Sequence, residues 1–272
     1  MSYRKDVSDR LKCCVCAGSD IFTPHASSTD LGGKARKARK MPTESLTDLL
    51  DRNARHTESL PSDYFDDVLD AQRPPLVSLC CSDSRVPQTE MWDAERPGYV
   101  FTPSNIGNVA WEERDGERVV DGNLLYPIAH TETGTVAVVG HTGCGAVTAA
   151  YRAVAEGVEV EQPSIRDRVD RLVPVVEDAL DAGIDEGVSD DGEVVNRIVE
   201  YNVDAQVEFL LGSDEIPDDE TVYGFVYDLH RAYGDVRGRT YLVNMDGETD
   251  VDEIRARLPE RHECFARSLL DG

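Results

Sequence analysis

Lysine disappears from this chain after its first forty residues. All five lysines (Lys5, Lys12, Lys34, Lys37 and Lys40) lie there, and beyond them the basic side chains are arginines. Positive charge is scarce over the chain as a whole, with 28 basic against 53 acidic residues and a formal charge of −25. The first 40 residues carry a net +5, which leaves −30 on the other 232. So dense a negative field repels polyanions, which argues against nucleic acid or an anionic lipid surface as a partner. A carboxylate-covered, lysine-free body reads as an adaptation to a salt-rich cytosol, that of an extreme halophile, where screening relieves self-repulsion.

Long apolar runs are missing too. None reaches the roughly 18 residues of a membrane span, and no signal-peptide apolar region follows the N-terminal charges, so the expected location is cytoplasmic, with no membrane partner. Cysteine is sparse, odd in number and clustered: residues 13, 14, 16, 80, 81, 144 and 264. That is a poor disulfide framework, and in a cytosolic chain such clustering points to metal binding or reactive thiols.

At 272 residues, with an ordinary 40% hydrophobic content, the chain is long enough for a large core and fits one sizeable α/β domain or two small ones. Residues 1–40 have the opposite charge sign and no periodic apolar pattern, and are expected to form a disordered basic extension ahead of a domain over 41–272. Met41 offers an alternative translation start. "TESLTDLLDRNARH", capped by Thr43, and "PSDYFDDVLDAQ", entered by Pro61, read as helices of an N-terminal arm. Strands are predicted at 76–81, 99–102, 135–140, 222–229 and 240–245, and helices at 122–131, 144–157, 163–182 and 193–211. This alternation predicts a mostly parallel central sheet of four to five strands flanked by helices. "DAGIDEGVSDDGE" reads as a solvated acidic loop.

Ligands of open α/β sheets gather at the carboxyl ends of strands. The first core strand ends in "CCSDSR" (80–85), and the strand over 135–140 runs into "HTGCG" (141–145). Two strand ends thus present cysteine, histidine and cysteine beside an aspartate and an arginine. Thiolates with imidazole suit zinc, and three protein ligands with an open fourth position are the catalytic arrangement. Glycines beside Cys144 let the chain turn into the next helix, whose positive end favours thiolate. Taken singly, Cys80, Cys81 and Cys144 read better as small apolar core residues, and His141 as a satisfied strand-end histidine.

Together, C-x-D-x-R followed about 60 residues later by H-x-x-C resembles the β-class carbonic anhydrases. "SNIGN" (104–108), "DGNLLYPIAH", "NVDAQVEFLL" and "VYGFVYDL" fall in that family's order, from about Thr43 to Val243. The resemblance implies one zinc ion per subunit, held by Cys81, His141 and Cys144, with Asp83 and Arg85 as the catalytic pair. Only counting from Cys81 reaches Asp83 and Arg85. Strand side chains alternate, so Cys80 faces the other way, as a core thiol. The implied reaction is reversible hydration of carbon dioxide to bicarbonate and a proton, by zinc-hydroxide attack; zinc lowers the pKa of its water to ~7. Asp83 would orient the nucleophile, and a bidentate Arg85 would hold Asp83 ionised and off the metal. In some relatives that aspartate closes onto zinc instead.

Gln72, Phe101 and Tyr126 match the pocket residues of the plant-type branch, which favours the open form. Ser104 in place of the usual arginine, Pro103, and one extra residue in "AERPG" depart from the pattern near Phe101. The family also implies a homodimer or higher homo-oligomer, with the arm wrapped on its partner and the glutamine able to come from the neighbouring subunit. Two rival readings keep the zinc: hydrolysis of carbon disulfide or carbonyl sulfide on the same fold, and a non-catalytic, zinc-stabilised bicarbonate-binding protein. "CCVC" with His25 is a weaker metal candidate. His262 and Cys264 read as packing or surface, and His56, His130 and His230 have no partner evident from spacing.

Overall fold

A computed structural model describes residues 43–158, 160 and 162–271. The expectations for residues 1–40, including "CCVC" and His25, lie outside the described residues. The chain divides into two units, one ending at Tyr64 and one running from Phe65 onward.

In the first unit, helix α1 spans Leu46–Ser59. Its cap is Ser45, not Thr43. Ser45 Oγ accepts the Asp48 N–H at 3.1 Å, and Asp48 Oδ2 accepts the Ser45 N–H at 2.9 Å. Only Ser45 has a carboxylate three residues on to complete this reciprocal box. The helix predicted over "PSDYFDDVLDAQ" does not form. Residues 62–68 make successive turns, with Tyr64 N–H bonded to Pro61 O and Val68 N–H to Phe65 O. Four aspartates (63, 66, 67 and 70) of a type that favours local backbone bonds over helix, and the Pro74–Pro75 pair downstream, leave too short a stretch to sustain a helix.

The second unit is built on a sheet of order β2-β1-β6-β7-β8, with β3 also paired to β1. The strands are β1 (Leu76–Cys81), β2 (Val100–Phe101), β3 (Ser104–Asn105), β6 (Thr135–His141), β7 (Thr221–Asp228) and β8 (Arg239–Met245). All pairings are parallel except β7 with β8. β4 (Trp111–Arg114) and β5 (Glu117–Val120) form a separate hairpin absent from the expected strands. Its two-residue turn is Asp115-Gly116, with φ of 52° and 85°, the left-handed pair that Asp-Gly adopts most readily.

The helices are α2 (Gly122–His130), α3 (Gly145–Glu156), α4 (Pro163–Val169), α5 (Val173–Asp181), α6 (Asp191–Leu211) and α7 (Val251–Arg257). The single helix expected over 163–182 breaks into α4 and α5. Pro174 sits in the first turn of α5, where its missing N–H costs nothing, but it could not continue a helix through Asp170. α6 packs along β6 and β7, and α3 and α5 pack with it on the same face. Val77, Leu79 and Cys81 point into that larger core, while Cys80 joins Val86, Ala137, Val139 and Tyr227 on the other face. Side-chain alternation along β1 therefore separates the two adjacent cysteines. No helix among the described residues is long and apolar enough to cross a membrane.

Candidate metal centre

β1 and β6 are neighbours in the sheet and end together, so Cys81 and His141 project from adjacent strand termini. After His141 the chain needs two residues to swing Cys144 back. Gly143 makes this possible with φ of 65°, a left-handed conformation that glycine adopts without steric cost. Cys144 then occupies the cap position of α3.

The sulfurs of Cys81 and Cys144 lie 3.8 Å apart, and the ligand atoms of Cys81, His141 and Cys144 all fall within 4.8 Å of one another. All three residues are buried. A tetrahedral zinc with Zn–S bonds of about 2.3 Å places two sulfurs about 3.8 Å apart, so the spacing fits. His141 makes the same point. Its Nδ1 lies 3.1 Å from the Thr142 carbonyl, which fixes the ring, while its Nε2 is buried with no hydrogen-bond partner. A buried imidazole nitrogen aimed at two sulfurs is the donor set of a soft transition metal. Among the described residues no other group of three such side chains converges.

The two thiols titrate as a pair. The hydrogen bond from Cys81 holds Cys144 below the ordinary thiol range, with further help from His141 and the Val147 N–H of α3. Sharing that proton, with burial added, pushes Cys81 up, although the Gly107 N–H donates to its sulfur. A metal ion that takes the place of the shared proton lets both act as thiolates.

Asp83 lies beside the triad, its Oδ2 3.6 Å from His141 Nε2. Arg85 grips it in a fork: Nε to Oδ1 at 2.9 Å and Nη2 to Oδ2 at 2.6 Å, with the Arg85 N–H also on Oδ1 at 2.9 Å. The arginine holds the Asp83 carboxyl well below the ordinary carboxylate range. The same Nη2 reaches the Gly143 carbonyl at 3.2 Å, tying this pair to the β6–α3 turn.

Phe101 and Tyr126 approach with ring centroids 6.4 Å apart, Tyr126 standing exposed on α2. Gln72 is exposed in irregular chain ahead of β1 and makes no hydrogen bond among the described residues. Ser104 pairs with Cys80 in the short β3. Two histidines without a sequence-evident partner acquire one. His130 lies against Tyr126 with ring centroids 5.1 Å apart and the planes tilted by 58°, an i, i+4 relation on α2 that spacing could have exposed. His230 Nδ1 lies 2.9 Å from Thr142 Oγ1, a contact across 88 residues with no local signal. Asn196 is a further site neighbour that no motif marks. Its Oδ1 accepts the Gly143 N–H at 2.8 Å.

Residues 76–234 match the family described as carbonic anhydrase. The chain belongs to the β-class carbonic anhydrase family. Relatives include a carbonic anhydrase of Emericella nidulans, 33% identical over 52% of this chain and 57% of that protein. Another, from Mycolicibacterium smegmatis, is 32% identical over 47% of this chain and 59% of that one. The aligned part thus spans little more than half the length of these relatives. Among solved structures, the Coccomyxa β-carbonic anhydrase bound to acetazolamide superposes with a TM-score of 0.58 at 24% identity, covering 82% of this chain and 97% of that one. A tetrameric β-carbonic anhydrase of Sordaria macrospora gives 0.58 at 23%, covering 72% and 94%. At these identities the likeness speaks for the fold. β-carbonic anhydrases use zinc, and Cys81, His141 and Cys144 of this chain can bind a metal ion.

Proposed function

We propose that this chain catalyses the reversible hydration of carbon dioxide to bicarbonate and a proton. Cys81 Sγ, His141 Nε2 and Cys144 Sγ would hold one zinc ion per subunit. Zinc in such a site supplies a water acidified to a pKa of ~7, and so a nucleophile near neutral pH. The protein's own share is orientation. Asp83, kept ionised by Arg85, accepts a hydrogen bond from the attacking oxygen and turns its lone pair toward carbon. Because both carboxylate oxygens are engaged by Arg85, the pair supports the open arrangement, with Asp83 off the metal. The observation that carries this reading is that locked carboxylate, 3.6 Å from the free Nε2 of a Cys–His–Cys triad. A purely structural metal site has no use for it.

Phe101 and Tyr126 would wall an apolar pocket for carbon dioxide, and Gln72 would donate a hydrogen bond to substrate oxygen. The working enzyme is a homodimer or higher homo-oligomer. Support comes from α1, which leaves Leu46, Leu49 and Leu50 more than half exposed as an apolar stripe suited to a second copy. The charge of −25 supports work in a salt-rich cytosol, with residues 41–272 as the zinc domain and 1–40 as a basic extension.

Metal analysis and stopped-flow carbon dioxide hydration in concentrated salt test the proposal. The wild-type chain should bind one zinc per subunit and be active. Asp83→Asn should keep the zinc and lose roughly 100-fold in kcat, the scale of a positioned hydrogen-bonding group. Zinc bound under reducing conditions with no hydration above pH 8 would overturn it.

A further inference from the structure

His230 does not belong to the family pattern described above, yet the structure sets it against the metal turn. After β7 the chain winds around the buried Asp228, which accepts the N–H groups of His230 (3.0 Å), Ala232 (3.1 Å) and Tyr233 (3.0 Å). This fastening delivers His230 Nδ1 to within 2.9 Å of Thr142 Oγ1. That hydroxyl also accepts the Leu229 N–H at 2.8 Å and lies 3.3 Å from Asp228 Oδ1. The imidazole covers Gly143 so closely that a Cβ there would come within 2.6 Å of His230 Cε1.

Thr142 and Gly143 are the two residues between the ligands His141 and Cys144, and each offers a carbonyl the centre uses. The Thr142 carbonyl orients the His141 ring, and the Gly143 carbonyl anchors Arg85. Asn196 holds the Gly143 N–H on another side. With Gly143 at φ of 65° the turn has no side chain to lock it in place, so it depends on outside contacts.

We propose that His230 is a positioning residue of the metal centre. Bonded to Thr142 and packed on Gly143, it holds the β6–α3 turn so that His141 keeps its ring orientation and Arg85 its carbonyl anchor. This rests on Cys81, His141 and Cys144 being the zinc site. His230 is exposed and borders a hollow of about 460 Å³ shared with Gly143, Asp190, Glu193, Asn196 and Ala232, so its removal leaves no sealed cavity in the core. The effect should therefore fall on the metal and not on the fold.

The test uses the full-length zinc-loaded protein in concentrated salt and follows zinc transfer to a chromophoric chelator alongside the thermal midpoint. His230→Ala should release zinc on the order of 10-fold faster than wild type, the scale of losing an outer partner of a ligand. His230→Asn, whose amide can reach the Nδ1 position and bond Thr142 in either role, should recover most of that loss. The midpoints of both variants should stay close to wild type. Zinc release from His230→Ala at the wild-type rate would overturn the inference. Equal acceleration in both variants, or a loss that merely follows a fallen midpoint, would overturn it as well. A wild-type chain that binds no zinc would instead sink the site assignment on which the inference stands.

Discussion

At the residue scale, the two neighbouring cysteines of β1 show how much one step along a strand decides. Cys80 is fully buried on the far face, its sulfur 3.5 Å from Ser78 Oγ. Burial pushes its thiol up to about 12, so it stays protonated and inert. Cys81, one pleat further, faces His141 and Cys144. Cys81→Ala should abolish zinc binding in metal analysis, whereas Cys80→Ala should retain full zinc and cost about 1 kcal/mol of stability in denaturant unfolding, as an ordinary small core truncation does. The spacing to Asp83 and Arg85 is readable in the sequence. The Arg85 bond to Gly143 is not, because 58 residues separate the partners.

At the element scale, α6 carries a buried load beyond packing. Glu200, 1% exposed, accepts the Tyr233 hydroxyl at 2.6 Å and the Leu269 N–H at 2.8 Å. Burial pushes its carboxyl up, outweighing the hydrogen bonds from Ser268, Tyr233 and Leu269. A carboxyl whose folded pKa is raised binds its proton more tightly in the native state. Stability therefore declines as pH rises from the ordinary glutamate range through the raised value. Glu200→Gln keeps an acceptor without the charge. It should flatten that decline and raise stability above pH 8 by about 1 kcal/mol, read from unfolding curves at several pH values, with little change near pH 4. The sequence marks α6 as a long helix from its apolar periodicity, but that pattern does not announce a buried glutamate. The β4–β5 hairpin is a different case. Its Asp-Gly turn is a legible local signal, but two four-residue strands rich in charge carry too short an apolar pattern to stand out beside the core strands.

At the scale of the whole molecule, net charge outweighs any single contact. With −30 carried by the 232 residues after the first 40, compaction brings like charges together, and salt relieves this by shrinking the screening length from ~10 Å at 0.1 M to ~3 Å at 1 M. The thermal midpoint should therefore rise steadily with sodium or potassium chloride well past 0.1 M. A midpoint that is flat or falls over that range would show that the acidic surface is not what limits stability. The exposed leucines of α1 belong to this scale as well, since a covered apolar stripe should make stability depend on protein concentration.

By itself the sequence determined the central strands, the helices α1, α3 and α6 and the local order of the site: cysteine two residues before aspartate and four before arginine, histidine three before cysteine. These are matters of periodicity and short spacing, which the chain carries wherever it folds. The tertiary structure alone decided that β1 and β6 lie side by side, which brings Cys81 within 3.8 Å of Cys144 and sets Asp83 beside His141. It also decided that His230 and Asn196 close around Gly143. Contacts across fifty to ninety residues leave no mark in local pattern, because hydrophobic burial places the strands and the polar partners then meet where that burial puts them.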